Sequence, residues 1–341
     1  MNVITIRCIA NESKGFGNLS RAILLAKELN KNSNKIIFLI DKNLNAKNIL
    51  QSNNLKYFFV PQFTSKKKES EFIIKKMNSV KSKSVILEMR EFSEILSKYL
   101  KNYGKQVIII DDAWVKNLYA DLIFNGTVVK KYHKYKKINQ NAEIFTGSQF
   151  WIADQHFLKN QKKQSSIKSK SSYSIVITMG GADNEGIIIK ILNYLGNVNF
   201  IKFYIVIGPM FKKHNELKPF FNLKNITFLN SPKQIWKIFE KSDVVICNGG
   251  NTLFELLIQR IPTLCIPAIS HQIPYAKFFH SKGITINLGY WEKLNGKKFL
   301  KHLELILEDE NKRKNMSRLS SEILDGKGLL RVTKIINKKL I

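Results

Sequence analysis

Apolar residues along this chain gather in short continuous runs, and between the runs they recur at helical spacing. In the first half the runs cover 3–10, 35–40, 56–60, 84–87, 106–111 and, more weakly, 122–124. Amphipathic stretches cover 19–29, 69–77 and 91–103. The second half repeats the alternation, with runs at 174–179, 202–207, 226–229, 244–247, 263–266 and 284–287. Its helical stretches are 185–195, 214–221, 235–240, 252–259 and 273–282, followed by 298–307 and 312–324. A short basic amphipathic tail lies beyond Gly326. Runs of Ile and Val without polar alternation suit strands covered on both faces. Strands alternating with helices read as βαβ units around a parallel sheet.

Between the halves lies LKNQKKQSSIKSKSS, residues 158–172. It is basic and serine-rich with no hydrophobic period, and reads as a linker. The expected organisation is an N-terminal domain at 1–157, a linker at 158–172, a second domain at 173–310 and a C-terminal helical segment at 311–341. The fold class is α/β, with two doubly wound, Rossmann-like domains. Sites in such sheets lie at the carboxyl ends of the strands, and a cleft between two domains is their natural place.

Composition narrows the choices. A hydrophobic fraction of 44% is ample for packed cores and excludes a disordered chain. The N-terminal run is short, is broken by Arg7 and does not read as a signal peptide. No apolar stretch approaches the roughly 20 residues that span a bilayer. A soluble, cytoplasmic protein is expected. Cys8, Cys247 and Cys265 are scattered in or beside apolar runs, which suits buried reduced thiols. No Cys/His spacing suggests a metal site, and no cofactor is expected.

The charge balance is 56 basic against 26 acidic residues, a net of +30. Such a balance attracts nucleic acid, an anionic membrane surface or an anionic substrate. The lysines are spread along the whole chain, as in Lys66-Lys67-Lys68, Lys130-Lys131 and Lys162-Lys163. Lys, Asn and Ile abound everywhere, as compositional drift would produce. With no nucleic-acid motif in the chain, drift is the first reading of this charge. Attraction to an anionic ligand or to an anionic membrane, with peripheral attachment at its inner face, ranks next, and nucleic acid last.

Three glycine turns each follow a strand and open a helix, which lifts them above noise. Gly15-Phe16-Gly17-Asn18 precedes helix 19–29, where Asn18 is placed to cap. Gly180-Gly181-Ala182-Asp183 follows strand 174–179; free amides at the next helix would favour an anion, with Asp183 as the cap. Asn248-Gly249-Gly250-Asn251-Thr252-Leu253-Phe254-Glu255 follows strand 244–247. Its glycines expose backbone N–H groups and Thr252 adds a hydroxyl. Glu255, one turn inside the helix, suits ribose hydroxyls better than phosphate.

The string NGGNTLFEL, with Pro262, Pro267, His271-Gln272 and Ala276 after it, resembles the donor domain of GT-B sugar-nucleotide enzymes. Within them the chain looks most like the PseG/SpsG group of UDP-sugar hydrolases and spore-coat polysaccharide proteins, relatives of the MurG glycosyltransferases. The order of features agrees over most of the chain. It runs through Gly15 and Gly17 with Arg21, Asp111-Asp112, Ala120-Asp121-Leu122 with Asn125, Thr178 to Asp183, and Ile286 to Gly289. The resemblance implies a GT-B fold with an N-terminal sugar or acceptor domain and a C-terminal UDP domain. Gly15, Gly17, Arg21, Gly180 and Gly181 would join the nucleotide-sugar site. Gly249, Gly250, Asn251 and Thr252 would line the diphosphate, Glu255 would hold the ribose, and His271-Gln272 would lie near the sugar. Water would displace UDP from the anomeric carbon without a metal. The setting is cell-surface polysaccharide or nonulosonic, pseudaminic-type acid synthesis with an amino-deoxy sugar.

One departure bears on mechanism. The family places a histidine base where this chain has Asn18, and an amide has no proton acceptor that titrates near neutrality. Glu12, Asp111, Asp112 and His271 are candidates to replace it. A smaller departure is Glu88-Met89-Arg90, where the family carries an aspartate. Three readings follow: a UDP-sugar hydrolase, a MurG-type transferase acting on a membrane-linked acceptor, and a binding protein without turnover. A membrane-docking transferase should show a Lys-ringed apolar patch, for example at Phe58, Phe59 and Phe63. His133, His156, His214, His280 and His302 are expected in solvent-facing or structural roles.

Overall fold

The computed structural model describes residues 2–10, 16–89, 94–112, 117–137, 141–168, 171–195 and 201–340. The chain forms two compact units, Met1–Ala153 with Lys327–Ile341, and Asp154–Gly326.

The first unit begins β1 (Val3–Cys8), α1 (Gly17–Asn30), β2 (Lys35–Asp41), α2 (Leu44–Ser52), β3 (Lys56–Val60) and α3 (Lys66–Ser79). It continues β4 (Ser84–Glu88), α4 (Glu94–Asn102), β5 (Gln106–Ile110), β6 (Asn117–Leu118), β7 (Leu122–Asn125), β8 (Lys136–Lys137) and β9 (Glu143–Thr146). Seven strands make one parallel sheet in the order β3-β2-β1-β4-β5-β7-β9, and β6 pairs with β8 apart from it. The central strands β4 and β5 are buried on both faces, as their apolar runs of Val, Ile and Leu require. One face packs Leu19, Leu25 and Leu29 of α1; the other packs Ile73 and Met77 of α3 and Leu96 and Leu100 of α4.

The second unit holds α5 (Gln155–Lys159), β10 (Tyr173–Thr178), α6 (Ile187–Leu195), β11 (Ile201–Ile207), β12 (Ile226–Asn230), α7 (Ile235–Lys241) and β13 (Val244–Cys247). After these come α8 (Asn251–Ile258), β14 (Thr263–Cys265), α9 (Ile273–Ser281), β15 (Thr285–Asn287), α10 (Gly296–Glu308) and α11 (Glu310–Ile323). Its six parallel strands run β12-β11-β10-β13-β14-β15. In this doubly wound order the connections reverse direction between β10 and β13, which makes the carboxyl ends of those strands the switch point.

Several sequence expectations change. Residues 158–172 belong to the second unit and are anchored in it. Lys162 is buried, its backbone N–H bonds Gln259 O at 2.9 Å, and its ammonium reaches Ser242 O at 2.7 Å and Glu240 O at 3.2 Å. Ile167 is buried as well. The chain passes between units at 153–154 and again at 326–327. The expected C-terminal segment 311–341 is therefore divided. α11 stays in the second unit, whereas α12 (Gly328–Lys339) returns to the first and buries Leu329, Val332 and Ile336 in the core that α1 covers. The stretch 214–221 is a 3-10 turn, His214–Phe220, with Pro219 inside it. Among the described residues no helix is long and apolar enough to cross a membrane. Cys8, Cys247 and Cys265 are buried free thiols.

Candidate functional site

The second unit gathers most of the sequence-predicted residues at its switch point. β10 and β13 are neighbours with Thr178 opposite Cys247, so the turns that leave them start side by side. Gly180 has φ +78°, a conformation glycine adopts without penalty. Asn248 ties the turns together: its Nδ2 donates to Met179 O at 2.8 Å and its Oδ1 accepts from Gly250 N at 3.2 Å. The loop after β11 closes the third side. A Cβ on Gly208 would lie 2.3 Å from Gly180 O, and Met210 N donates to Gly181 O at 2.8 Å.

Gln272, in the 3-10 turn Ser270–Gln272, docks on the β13 turn from the other side. Its buried Oε1 accepts from Gly249 N at 3.2 Å and from Ala268 N at 2.8 Å. With the oxygen committed to two donors, the Nε2 group falls on the Gly250 side, 3.3 Å from where a Cβ of that residue would sit. Gly249 itself leaves no room for a side chain, since a Cβ there would lie 2.8 Å from Gln272 Cβ. The amides of Gly249 and Gly250 are thus held by Gln272 and Asn248. Asn251 and Thr252 follow as the first two residues of α8. Asn248 was not among the predicted site residues; its role depends on a strand 69 positions away and has no local signal.

Glu255 is half-buried one turn into α8. Burial pushes its carboxyl up to about 7, and the nearby carboxylate of Asp154 adds repulsion. His271 is half-buried beside Gln272. Asp183 caps α6 as expected, accepting from Ile187 N and Ile188 N at 2.9 Å each. The same bonds correct the expectation of free amides there, because Asp183 already occupies the start of α6.

The first unit holds the remaining predicted residues. Gly15 and Glu12 lie outside the described residues, as does Arg90. Gly17 is the first residue of α1 and Asn18 the second. Asn18 is therefore not the helix cap; Phe16 takes that position and offers no side-chain bond. Arg21 is buried and committed. Its Nε and Nη2 donate to Glu88 Oε1 at 3.0 and 2.5 Å, Nη2 also reaches Asp112 Oδ2 at 3.1 Å, and its guanidinium lies over the Trp151 ring. It thus fastens α1 to the ends of β4 and β5, which a role in holding nucleotide does not require. Glu88 is fully buried, and its Oε2 has no hydrogen-bond partner among the described residues. Burial pushes that carboxyl up to about 7 against the pull of Arg21. Asp111, just past β5, is buried and accepts from the Tyr135 hydroxyl. Among the described residues no cluster of His, Cys, Asp or Glu could hold a metal ion.

The family model for the glycosyltransferase family 28 C-terminal domain matches residues 145–328, more than half of the chain. This chain belongs to that family. Within glycosyltransferase family 28, it is of the PseG/SpsG-like GT-B kind. The spore coat polysaccharide biosynthesis protein SpsG of Bacillus subtilis is 21% identical over 334 residues, which cover 95% of this chain and 94% of SpsG. The Helicobacter pylori protein named pseudaminic acid cytidylyltransferase and UDP-2,4-diacetamido-2,4,6-trideoxy-beta-L-altropyranose hydrolase is 28% identical over 192 residues. That match covers 54% of this chain and 34% of the relative. The uncharacterized protein MJ1062 of Methanocaldococcus jannaschii is 26% identical over 262 residues, 74% of this chain. This chain spans about half of that relative's length, 53%. Among solved structures, MurG of Acinetobacter baumannii superposes with a TM-score of 0.72 at 14% identity, covering 99% of both chains. The family 28 chain therefore has the GT-B fold.

Proposed function

We propose that this protein is a sugar-nucleotide enzyme of polysaccharide or nonulosonic acid biosynthesis that hydrolyses a UDP-linked amino-deoxy sugar and releases UDP. The observation that carries the reading is the switch-point site: two glycine turns latched by Asn248, the amino end of α8, and Glu255 one turn behind it. With the Gly249 and Gly250 amides held by Gln272 and Asn248, the amides of Asn251 and Thr252 at the start of α8 are the ones that suit phosphate oxygens. A carboxyl set back by one turn suits ribose hydroxyls, which donate. Gln272 Nε2, directed toward Gly250, is a donor for a phosphate or sugar oxygen. The hydrolase named in the H. pylori relative and the polysaccharide setting named for SpsG support the choice of reaction and pathway class.

A MurG-type transfer to an acceptor competes, because Asn18 lacks the base that the hydrolase pattern places there. The deciding experiment incubates the full chain with a panel of UDP-sugars, with and without hydroxyl acceptors, and follows free UDP. UDP release without acceptor is expected. Release only with acceptor would replace hydrolysis by transfer. Binding of UDP without release from any member would leave a binding protein.

A further inference from the structure

Asn248 stands where β10 and β13 stop pairing. Their last ladder partners are Thr178 and Cys247. Beyond them the chain turns through Met179-Gly180-Gly181 on one side and Asn248-Gly249-Gly250 on the other. The Asn248 side chain bridges the gap, with Nδ2 donating to Met179 O at 2.8 Å and Oδ1 accepting from Gly250 N at 3.2 Å. Both glycines crowd the amide. A Cβ on Gly180 would lie 3.2 Å from Nδ2, and one on Gly250 would lie 3.3 Å from Oδ1. The place calls for a donor and an acceptor side by side on a short planar group, which asparagine supplies. An aspartate of the same shape can only accept once ionised, and would set a negative charge against the Met179 carbonyl.

The start of α8 differs from its neighbours. Helices α5, α6, α10 and α11 of the same unit begin at Asp154, Asp183, Asn295 and Asp309, and each of these side chains accepts from an amide of the first turn. α8 begins after Gly250, which supplies no side-chain cap. Leu253 N returns to Gly250 O at 3.0 Å and closes the first turn, with the amides of Asn251 and Thr252 ahead of it. The direction of those amides follows from how Gly249 and Gly250 are held. Gln272 holds the first from one side, and Asn248 holds the second from the other while anchored on β10.

We propose that Asn248 is a positioning residue for the diphosphate: by tying Gly250 to Met179 it fixes the direction in which α8 presents its first amides, without itself touching the ligand. The proposal rests on the reading of the second unit as a sugar-nucleotide site, and every residue it invokes lies in that unit. Glu255 is one turn farther along α8 and is carried by the helix rather than by the turn. Recognition of the nucleoside is therefore independent of Asn248, whereas recognition of the phosphates depends on it.

The test measures binding of UDP and of uridine to the full-length parent, Asn248→Ala and Asn248→Asp, with melting temperatures alongside. Asn248→Ala is expected to bind UDP about tenfold more weakly, the size of one hydrogen bond to a charged group, and to bind uridine within about twofold of the parent. Asn248→Asp keeps the Gly250 bond, loses the one to Met179 and adds a carboxylate near the phosphates, so its loss for UDP should be about thirtyfold, again with uridine within about twofold. Should Asn248→Ala not fold, the same comparison is read from Asn248→Asp. Equal losses for UDP and uridine would overturn the proposal, because Asn248 would then support the fold in general. Undiminished UDP affinity in the variants would overturn it too. Either result, with a parent that binds UDP more tightly than uridine, leaves the sugar-nucleotide reading standing. A parent that binds UDP no more tightly than uridine would overturn both.

Discussion

At the level of single residues, Glu255 and Gln272 would divide the work of recognition in the proposed site by what each can offer a ligand. Gln272 has spent its oxygen on Gly249 and Ala268, so toward the ligand it can only donate. Glu255 can only accept when ionised, and burial keeps it on the edge of ionisation near pH 7. The sign of the resulting pH dependence follows. In the proposed site, the carboxylate present above about 7 would accept from the ribose hydroxyls; below it, the protonated group has a weaker acceptor and a competing donor. Affinity for an intact UDP-sugar, whose phosphodiesters do not titrate here, should therefore fall about fivefold between pH 8 and pH 6, within the roughly tenfold that a group titrating near 7 allows over that range. Glu255→Gln should bind about tenfold more weakly at pH 8, the loss of about 1.4 kcal/mol that a hydrogen bond to a charged group supplies, and without pH dependence. Calorimetric titration at the two pH values checks both; a variant that keeps the parental slope would remove Glu255 from the ribose.

At the level of elements, the strands were the most legible feature, because a strand buried on both faces needs no partner to reveal itself. β13 and, after Gln106, β5 are written as unbroken apolar runs, and β1 and β10 as mostly apolar ones. α2 was missed, since only Ala46 and Leu50 of its nine residues are buried and the apolar stripe is too narrow to read. α3 begins earlier than its apolar spacing, where the Ser65 hydroxyl accepts from Lys68 N and starts a lysine-rich first turn. β9 was missed because its residues are only half-buried. The glycine turns were legible as chemistry, whereas the Asn248 latch was not, because it joins distant residues by a tertiary hydrogen bond that leaves no periodicity. α12 reads as an amphipathic tail, yet nothing local says which core it fills. Its seat depends on Gly328, where a Cβ would fall 2.1 Å from the carbonyl oxygen of Trp151. Gly328→Ala should therefore destabilise the first unit by about 2–3 kcal/mol, since backbone rather than a mobile side chain blocks the methyl. Gly181→Ala is the contrast, as a Cβ there meets nothing within 4 Å and φ is not in the left-handed region. It should unfold at the parental denaturant concentration. Chemical denaturation of the two variants separates these outcomes, and equal midpoints would mean that α12 is not held as described.

At the scale of the whole molecule, the net charge of +30 and the surface of the first unit bear on membrane attachment. The aromatics expected to form a docking patch do not combine into one. Phe59 packs against the α1-side core and Phe63 against the opposite core, paired with Phe72. Only Phe58 of the three is exposed, at 37%, and the Lys76 ammonium stands 4.8 Å over its ring. A single side chain under a lysine offers little area to insert into lipid, so what remains is long-range attraction from dispersed lysines. Attraction of that kind is screened over about 8 Å at physiological ionic strength. The chain should therefore sediment with vesicles containing anionic lipid at low salt, dissociate as salt approaches about 0.15 M, and ignore neutral vesicles throughout. Binding that persists in about 0.5 M salt would require apolar insertion. It would then favour an acceptor presented at the membrane, and hence transfer, over hydrolysis of a freely diffusing sugar nucleotide.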